Sequence, residues 1–302
     1  MRRISFSEFS SYCKCPLLWD NVYRKKNKVT KPVTYKDLVY KENCESANIV
    51  GFEDVCAKAW AIRQYMNEMD SDTILVSGEV FIRDNELISM LKKEEFVYHC
   101  DDLEMALPVP DVFYKKNDVK QKIILSTVIT SSSGLYKQTP NNLAHFQRLL
   151  LQNMSNNGLE SLKGCSFNIA IRYIKTASLK MKKAETDEEF EARKAELLKK
   201  SKTGTTKAQK QVGESASDFF ARYKAAITHS FELENELFLN VDRRLIDMLK
   251  RLNMDYDSNN PLPFNDHYCA MCEFNKCGIC KNMLGQSDSD LESNGVICVS
   301  AK

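Results

Sequence analysis

The chain has 302 residues, 43% of them hydrophobic and 10% aromatic, enough apolar side chain for one large core or two small ones and too much for a wholly disordered polymer. A net charge of +2 excludes a globally basic nucleic-acid binder, so any such contact has to come from local patches. No apolar run approaches the roughly 20 residues of a membrane span, and MRRISFSEFSSYCKCP lacks the apolar stretch of a secretory signal, so the expectation is a soluble, cytoplasmic protein with no membrane partner.

Residues 5–24 open on Ser5 or Ser7 as a helix N-cap. Phe6, Phe9, Tyr12, Leu17, Trp19, Val22 and Tyr23 then recur at close to helical spacing. Pro16 interrupts them, which predicts a short helix, a bend and a second helix. A longer helix is expected over 45–67, with Val50, Val55, Ala59, Ile62, Tyr65 and Met66 on its apolar face. Residues 74–82 read as a strand and 85–91 as a short helix. The period then changes. Residues 96–100, 104–114 and 122–130 are rich in strand formers, with 115–118 as the polar turn between the last two. Residues 141–154 are helical, since Leu143, Phe146, Gln147, Leu150 and Leu151 share a face, and 166–174 alternate as a further strand. The order helix, strands, helix, strand predicts an α/β fold with a mixed central sheet flanked by helices.

A charged helical region follows over 180–225, and it contains an internal echo: ETDEEFEAR at 185–193 resembles ESASDFFAR at 214–222. Thr186 and Glu189 form a capping box in the first copy; the plain alternative is two helix starts that are similar by chance. The polar connection at about 199–213 reads as a mobile linker. Residues 231–252 read as a helix through Leu233, Leu237, Val241, Leu245, Met248 and Leu249. The tail from 285 is acidic and expected to be disordered. Two basic patches stand out, Arg24, Lys25 and Lys26 with Lys28 and Lys31 in one and the run 194–210 in the other. Each reads either as a nucleic-acid contact or as a solvated face.

Eleven cysteines, an odd number, argue against a disulfide scaffold. Cys44, Cys56, Cys100, Cys165 and Cys298 are scattered and read as small buried hydrophobes or free thiols. HYCAMCEFNKCGIC places Cys269, Cys272, Cys277 and Cys280 together. The C-x-x-C spacing lets two thiolates meet one metal from a tight turn, and it occurs twice. The loop between the two units is short for a self-contained zinc ribbon, so a ligand from elsewhere is expected, and CKCP at 13–16 is the donor at hand. Thiolate ligands hold either zinc or an iron–sulfur cluster. Such a site would staple the first helix to the last segment and would be structural, with every coordination position filled.

ISFSEFSSYCKCPLLWDNVYR resembles the opening of RecB-type nuclease domains of the PD-(D/E)XK superfamily, and NPLPFNDHYCAMCEFNKCGIC resembles their C-terminal cysteine motif. AHFQRLLLQNM is similar to the family's post-catalytic helix, and DFFARYKAAITHSFELENELFLNVDRRL to the region before the cysteines in phage-borne members. The resemblance implies a restriction-endonuclease-like core and a 4Fe-4S cluster, with zinc as the alternative. The implied ligands are Cys15, Cys269, Cys272 and Cys280. The family's fourth position falls near Gly278, which leaves Cys277 as an alternate, and Cys13 stands beside Cys15 as another.

The resemblance further implies a hairpin site, with an Asp on one strand and an Asp/Glu-x-Lys on the next. Two carboxylates hold Mg²⁺, a hard cation that prefers oxygen ligands, and the metal activates water beside the scissile phosphate. Acid and lysine stand two apart because alternate residues share a strand face. Asp111 in VPDVFY matches the first aspartate. The second motif aligns with Ser126-Thr127-Val128 or Thr127-Val128-Ile129, and neither contains an acid or a lysine. Asp118-Val119-Lys120 spells the motif but falls in the expected turn. Glu104 is a candidate upstream ligand. Cys56 falls near where relatives carry a metal-binding His, and His145 is a candidate to approach the site.

The expected organisation is a nuclease-like core over 1–178 with a helical part at 1–70, then a charged helical region over 179–260. The cysteine motif at 261–284 packs back on the N-terminus, and an acidic tail covers 285–302. The expected function is a catalytically inactive RecB-like protein in a bacterial or phage-infected cell. It would bind single- or double-stranded DNA, or a replication or recombination protein. The alternatives are a Mg²⁺-dependent deoxyribonuclease with a relocated site using Asp111, Asp118, Lys120 or Glu104, and a protein-interaction module with a structural metal.

Overall fold

The structure is a computed structural model. It describes residues 1–26, 28–29, 35–39, 53–93, 95–131, 142–157, 159–200, 205–234, 238–258, 262 and 298–299. The chain opens with β1 (Arg2–Ser5) and α1 (Phe6–Lys14). Ser5 caps α1, its hydroxyl accepting from the Glu8 amide. Cys15 breaks the helix in extended backbone, and Pro16 restarts it at the first position of α2 (Pro16–Trp19), where a missing N–H costs nothing. A single wide turn over Asp20–Arg24 completes the unit. Trp19 is fully buried between Tyr12 and Tyr256, and its indole N–H donates to Glu8 at 3.1 Å.

Two short elements come next, β2 (Lys28–Val29) and α3 (Tyr35–Val39). α4 (Glu53–Met69) is the long helix expected over 45–67, and the first residues of that range lie outside the described ones. The single strand expected over 74–82 is instead a hairpin of β3 (Thr73–Val76) and β4 (Glu79–Arg83). Its turn holds Ser77 and Gly78 at φ 51° and 82°, the left-handed pair that a two-residue hairpin turn demands. α5 (Asn85–Lys93) follows at once, capped by Asp84.

The strand expected over 104–114 also divides. β5 (Val97–Cys100) and β6 (Leu103–Ala106) join β1 in a three-stranded sheet of order β1-β6-β5, whereas β7 (Asp111–Lys115) enters the main sheet. The break falls at Leu107-Pro108-Val109-Pro110, where two prolines cannot donate to a ladder. β7 turns into β8 (Asp118–Ser131), α6 (Asn142–Asn156) crosses over, and β9 (Ser166–Thr176) returns parallel to β8. The charged region contains α7 (Asp187–Lys200) and α8 (Ala216–Ala225). The helix expected over 231–252 starts later: β10 (Thr228–Leu233) adds antiparallel to β9, and α9 (Phe238–Tyr256) follows. Phe231 and Leu233 are strand residues there, so the sheet extends past the boundary expected at 178. Last, β11 (Cys298–Val299) pairs with β2, a strand within the tail expected to be disordered.

The main sheet has six strands in the order β10-β9-β8-β7-β4-β3, mixed in direction and flanked by helices, as the sequence predicts for the fold class. One face packs on α1, α5, α6 and α9 through Val112, Ile124 and Ile169 against Phe9, Phe146 and Leu245. The other face meets α4 and α8 at one end, where Ile174 packs with Ile62, Phe219 and Tyr223. At its other end the edge strands β3 and β10 approach each other over a small core of Ile74, Phe81, Phe113, Ile123 and Ala170. No helix among the described residues is long and apolar enough to cross a membrane.

Candidate functional site

The β7–β8 hairpin carries Asp111 and the stretch 126–129 that the sequence resemblance aligns with the expected motif. Asp111 opens β7 and stands opposite Leu125 of β8. Strand alternation then assigns the faces. Asp111 and Phe113 share one face with Ile123, Leu125, Thr127 and Ile129. Ser126 and Val128 point the other way, and Val128 packs into the core that holds Ile124 and Phe146. Of the two alignments considered, only Thr127-Val128-Ile129 turns its first and third residues toward Asp111. From β8 that face receives the Thr127 hydroxyl and the aliphatic side chains of Ile123, Leu125 and Ile129, with no carboxylate and no lysine.

Asp111 itself is already engaged. The Arg83 guanidinium donates to it at 2.5 Å and to Asp70 at 3.0 Å, so one cation from β4 bridges two acids. Although partial burial works against its charge, these two carboxylates raise the Arg83 pKa above its usual value. On the far side Arg172 of β9 lies in register with Thr127 and donates to its hydroxyl at 3.0 Å. Two arginines therefore flank a position where the chemistry of a metal-dependent nuclease would place oxygen ligands.

The relocated residues do not gather around Asp111. Asp118 is in register with Lys115, four positions along β7 from Asp111 and so roughly 13 Å away at strand spacing. Its carboxylate accepts from the Lys120 amide within the turn, and the Lys120 ammonium lies near Gly164. Glu104 belongs to the other sheet, on β6, beside His99 at 3.6 Å. Cys56 is half-buried on α4. Among the described residues no group of three or more His, Cys, Asp or Glu side chains is disposed to hold a metal ion.

His145 enters a separate, buried network on the opposite face. Its ring lies between Asp242 of α9 at 3.3 Å and Glu234, at the end of β10, at 3.2 Å, and Arg148 donates to the other Asp242 oxygen. Burial alone would lower the His145 pKa, but the two carboxylates outweigh it and raise the value. Asp242 is depressed despite burial, held ionised by hydrogen bonds from His145 and Arg148. The network locks α6 to the strand and helix that lead toward the C-terminal cysteines.

Sequence reasoning missed a second buried pair. Lys122 of β8 reaches Asp84 at 2.6 Å, and both are largely enclosed. They line a cleft of about 620 Å³ with Arg83, Tyr114, Met90 and Ser161. The available signal was a lysine placed in phase with Ile124 on an inward-facing strand position. Asp84 has a double role, since its other oxygen caps α5.

The first basic patch is largely committed to structure. Asp20 pairs with Arg24 at 3.3 Å and with Lys25 at 2.6 Å. Arg24 also donates to the carbonyls of Asp255 and Ser258 and lies over Trp19. Lys26 takes a left-handed turn at φ 55°, and Lys28 stands opposite Val299; Lys31 lies outside the described residues.

The same contacts bring the N-terminal helices to the end of α9. Tyr12 donates to Asp255 at 2.5 Å, and Arg2 pairs with Asp257 at 2.7 Å while stacking on Tyr256. Cys15 is buried at the joint between α1 and α2, and burial pushes the nearby Cys13 thiol up to about 12. Cys269, Cys272, Cys277 and Cys280 lie outside the described residues. No family model, curated protein or solved structure matches this chain.

Proposed function

We propose that this protein is a catalytically inert relative of RecB-type PD-(D/E)XK nucleases that binds DNA, or a protein working on DNA, in the cytoplasm of a bacterial or phage-infected cell. The observation that carries this reading is the Asp111 face of the hairpin, where Leu125, Thr127 and Ile129 replace acid and lysine and Arg83 occupies the remaining carboxylate. The chain order α4, antiparallel β4-β7-β8, α6 and parallel β9 supports a restriction-endonuclease-like core. A Mg²⁺ pair needs clustered carboxylate oxygens, and the two acids described beside this face, Asp111 and Asp70, are both taken up by the Arg83 guanidinium.

The cysteine cluster is part of the same reading. The clasp between the N-terminal helices and Ser258 leaves only eleven residues to Cys269, and a chain of that length spans up to about 35 Å. Cys15 would share the cluster with Cys269, Cys272 and Cys280, with Cys277 or Cys13 as alternates, and a bound iron–sulfur cluster or zinc ion would supply a structural staple. The sulfur donor set fits either group. The chain's own part is to bury Cys15 and hold the two ends together through Tyr12, Arg24 and Arg2.

Two measurements test the proposal. Protein purified without oxygen is expected to show the broad visible absorption of an iron–sulfur cluster, lost in Cys15→Ser. It is also expected to leave labelled DNA intact with Mg²⁺ or Mn²⁺. Metal-dependent degradation abolished by Asp111→Ala would overturn the inert reading, and a colourless zinc protein would overturn the iron–sulfur assignment.

A further inference from the structure

The echo noted in the sequence is an exchanged, two-fold arrangement. A shift of 29 residues carries Glu185, Thr186, Glu189, Phe190 and Arg193 onto Glu214, Ser215, Asp218, Phe219 and Arg222. In the first copy Arg193 grips Glu185 through two hydrogen bonds of 2.6 and 2.7 Å, and in the second Arg222 grips Glu214 through two of 2.7 Å. Each copy completes the other. The Glu185 amide donates to the Gln211 carbonyl and the Glu214 amide to the Lys182 carbonyl. Glu185 in turn accepts from the Gln211 amide, and Glu214 from the Lys182 amide. Arg193 also reaches the Gln209 carbonyl, and Arg222 the Lys180 carbonyl.

The two helices launched by this clasp have different fates. α8 buries Phe219 and Tyr223 against α4. α7 buries no residue. At the positions equivalent to the buried Phe219 and Tyr223 it carries Phe190, which Arg193 and Lys194 cover, and Lys194, so it keeps one of the two aromatics that seat α8 on α4. Its free end is strongly cationic. From 194 to 210 Glu196 is the single carboxylate, against Lys194, Lys199, Lys200, Lys207 and Lys210 among the described lysines. Lys194, Lys200 and Lys210 make surface pairs with Glu191, Glu196 and Asp187, solvent-screened contacts of a kind readily exchanged for another anion. Lys199 and Lys207 meet no carboxylate among the described residues.

We propose that α7 is a projecting arm whose lysine-bearing end contacts the phosphate backbone of DNA, aimed by the duplicated Glu–Arg clasp. A line of exposed ammonium groups suits a ligand that presents phosphates at regular spacing. A protein partner would call for a cluster of aromatic or aliphatic anchors; Thr205-Thr206-Lys207-Ala208-Gln209-Lys210 offers none, and the exposed large apolar side chains that flank it in sequence are Leu197 and Val212. A lipid surface would need large apolar side chains for insertion. The proposal rests on the DNA-binding reading above for the choice of ligand, but not on the ancestry of the core.

The test is fluorescence anisotropy of the full chain with a labelled oligodeoxynucleotide, single-stranded and duplex, over a salt series, for the native protein and for the Lys199→Glu/Lys207→Glu variant. Because α7 buries nothing, the variant is expected to melt at the native temperature. Its affinity should fall alike for every DNA sequence, and the slope of log affinity against log salt should become shallower by about 2, near 1 per lysine. Native binding with an unchanged slope in the variant overturns the arm while leaving DNA binding by the core intact. Absence of native DNA binding at low salt overturns the arm and the DNA reading together, leaving the protein-partner form of the proposed function.

Discussion

Arg83 and Asp111 sit 2.5 Å apart on adjacent antiparallel strands, so the carboxylate that the proposed nuclease kinship would assign to a metal is paired with a cation of the chain. The arginine comes from β4, in register with Phe113 two residues along from Asp111 on the same face. Asp111 and its neighbour Asp70 face one guanidinium between them, so a cation of the chain itself takes up the carboxylate oxygens that a Mg²⁺ ion would need.

Adding an acid opposite Asp111 should therefore confer metal affinity only when the arginine is also removed. Leu125 stands directly opposite Asp111, so Leu125→Glu places two carboxylates on facing positions about 5 Å apart. The Arg83→Ala/Leu125→Glu variant is expected to bind Mn²⁺ in calorimetry, and neither single variant is. Mn²⁺ binding by the native protein at Asp111, lost in Asp111→Asn, would contradict this account.

Asp242 is the keystone of the buried network, since it receives both His145 and Arg148 and its side chain is only 10% exposed. Asp242→Ala leaves a buried guanidinium without its counter-ion and should destabilise the fold by about 3–5 kcal/mol in urea unfolding. A loss below about 1 kcal/mol would mean that Arg148 finds water or another acid.

The network also sets a pH window. The His145 pKa is raised above its ordinary 6.5, so its contribution is fully present below that value and is lost as pH rises through the folded pKa. The Asp242 pKa is depressed from 3.8, so its contribution is present above that value and is lost as pH falls through the lower folded one. Stability from this network is greatest between about pH 4 and 6.5. His145→Gln should flatten the decline above that window. His229, lowered by burial and Arg172, acts in the opposite sense and is left untouched by that variant.

The β3–β4 turn gives a local test. Ser77 takes φ 51°, where a non-glycine side chain is strained by about 1–2 kcal/mol. Ser77→Asn is expected to raise the melting temperature, because Asn tolerates that region and suits the first position of this turn. Gly78→Ala meets open space yet should lower it, since the cost lies in the backbone at φ 82°.

Much of the core was legible in the sequence, because apolar periodicity reports which face of each element is buried. The helix expected over 141–154 and the strand expected over 166–174 follow from it, and residue type adds the break at Pro16 and a cap at Ser5 or Ser7, of which the structure uses Ser5. The errors arose where periodicity carries no such information. Ser77-Gly78 reverses the chain without breaking the alternation from Ile74 to Ile82. Leu107 to Pro110 moves the chain between sheets with little loss of hydrophobicity. Phe231 and Leu233 fit a helix extended backwards as well as a strand. The partners of Asp111 were not legible, because Arg83 and Asp70 lie far from it in sequence and meet it only through the fold of β4 against β7.

Reciprocity in the 180–222 clasp bears on assembly as well as on aim. The Arg193–Glu185 and Arg222–Glu214 pairs lie within one copy each, whereas the contacts of Glu185 and Arg193 with Gln211 and Gln209, and of Glu214 and Arg222 with Lys182 and Lys180, join the copies, so two separate chains could supply the two halves with each hydrogen bond retained. Only the connection from 194 to 208 keeps the exchange within one molecule. Trimming that connection should strain the closed monomer and drive the arms of two molecules into each other's clasps, giving a domain-swapped dimer visible as a doubled mass in solution.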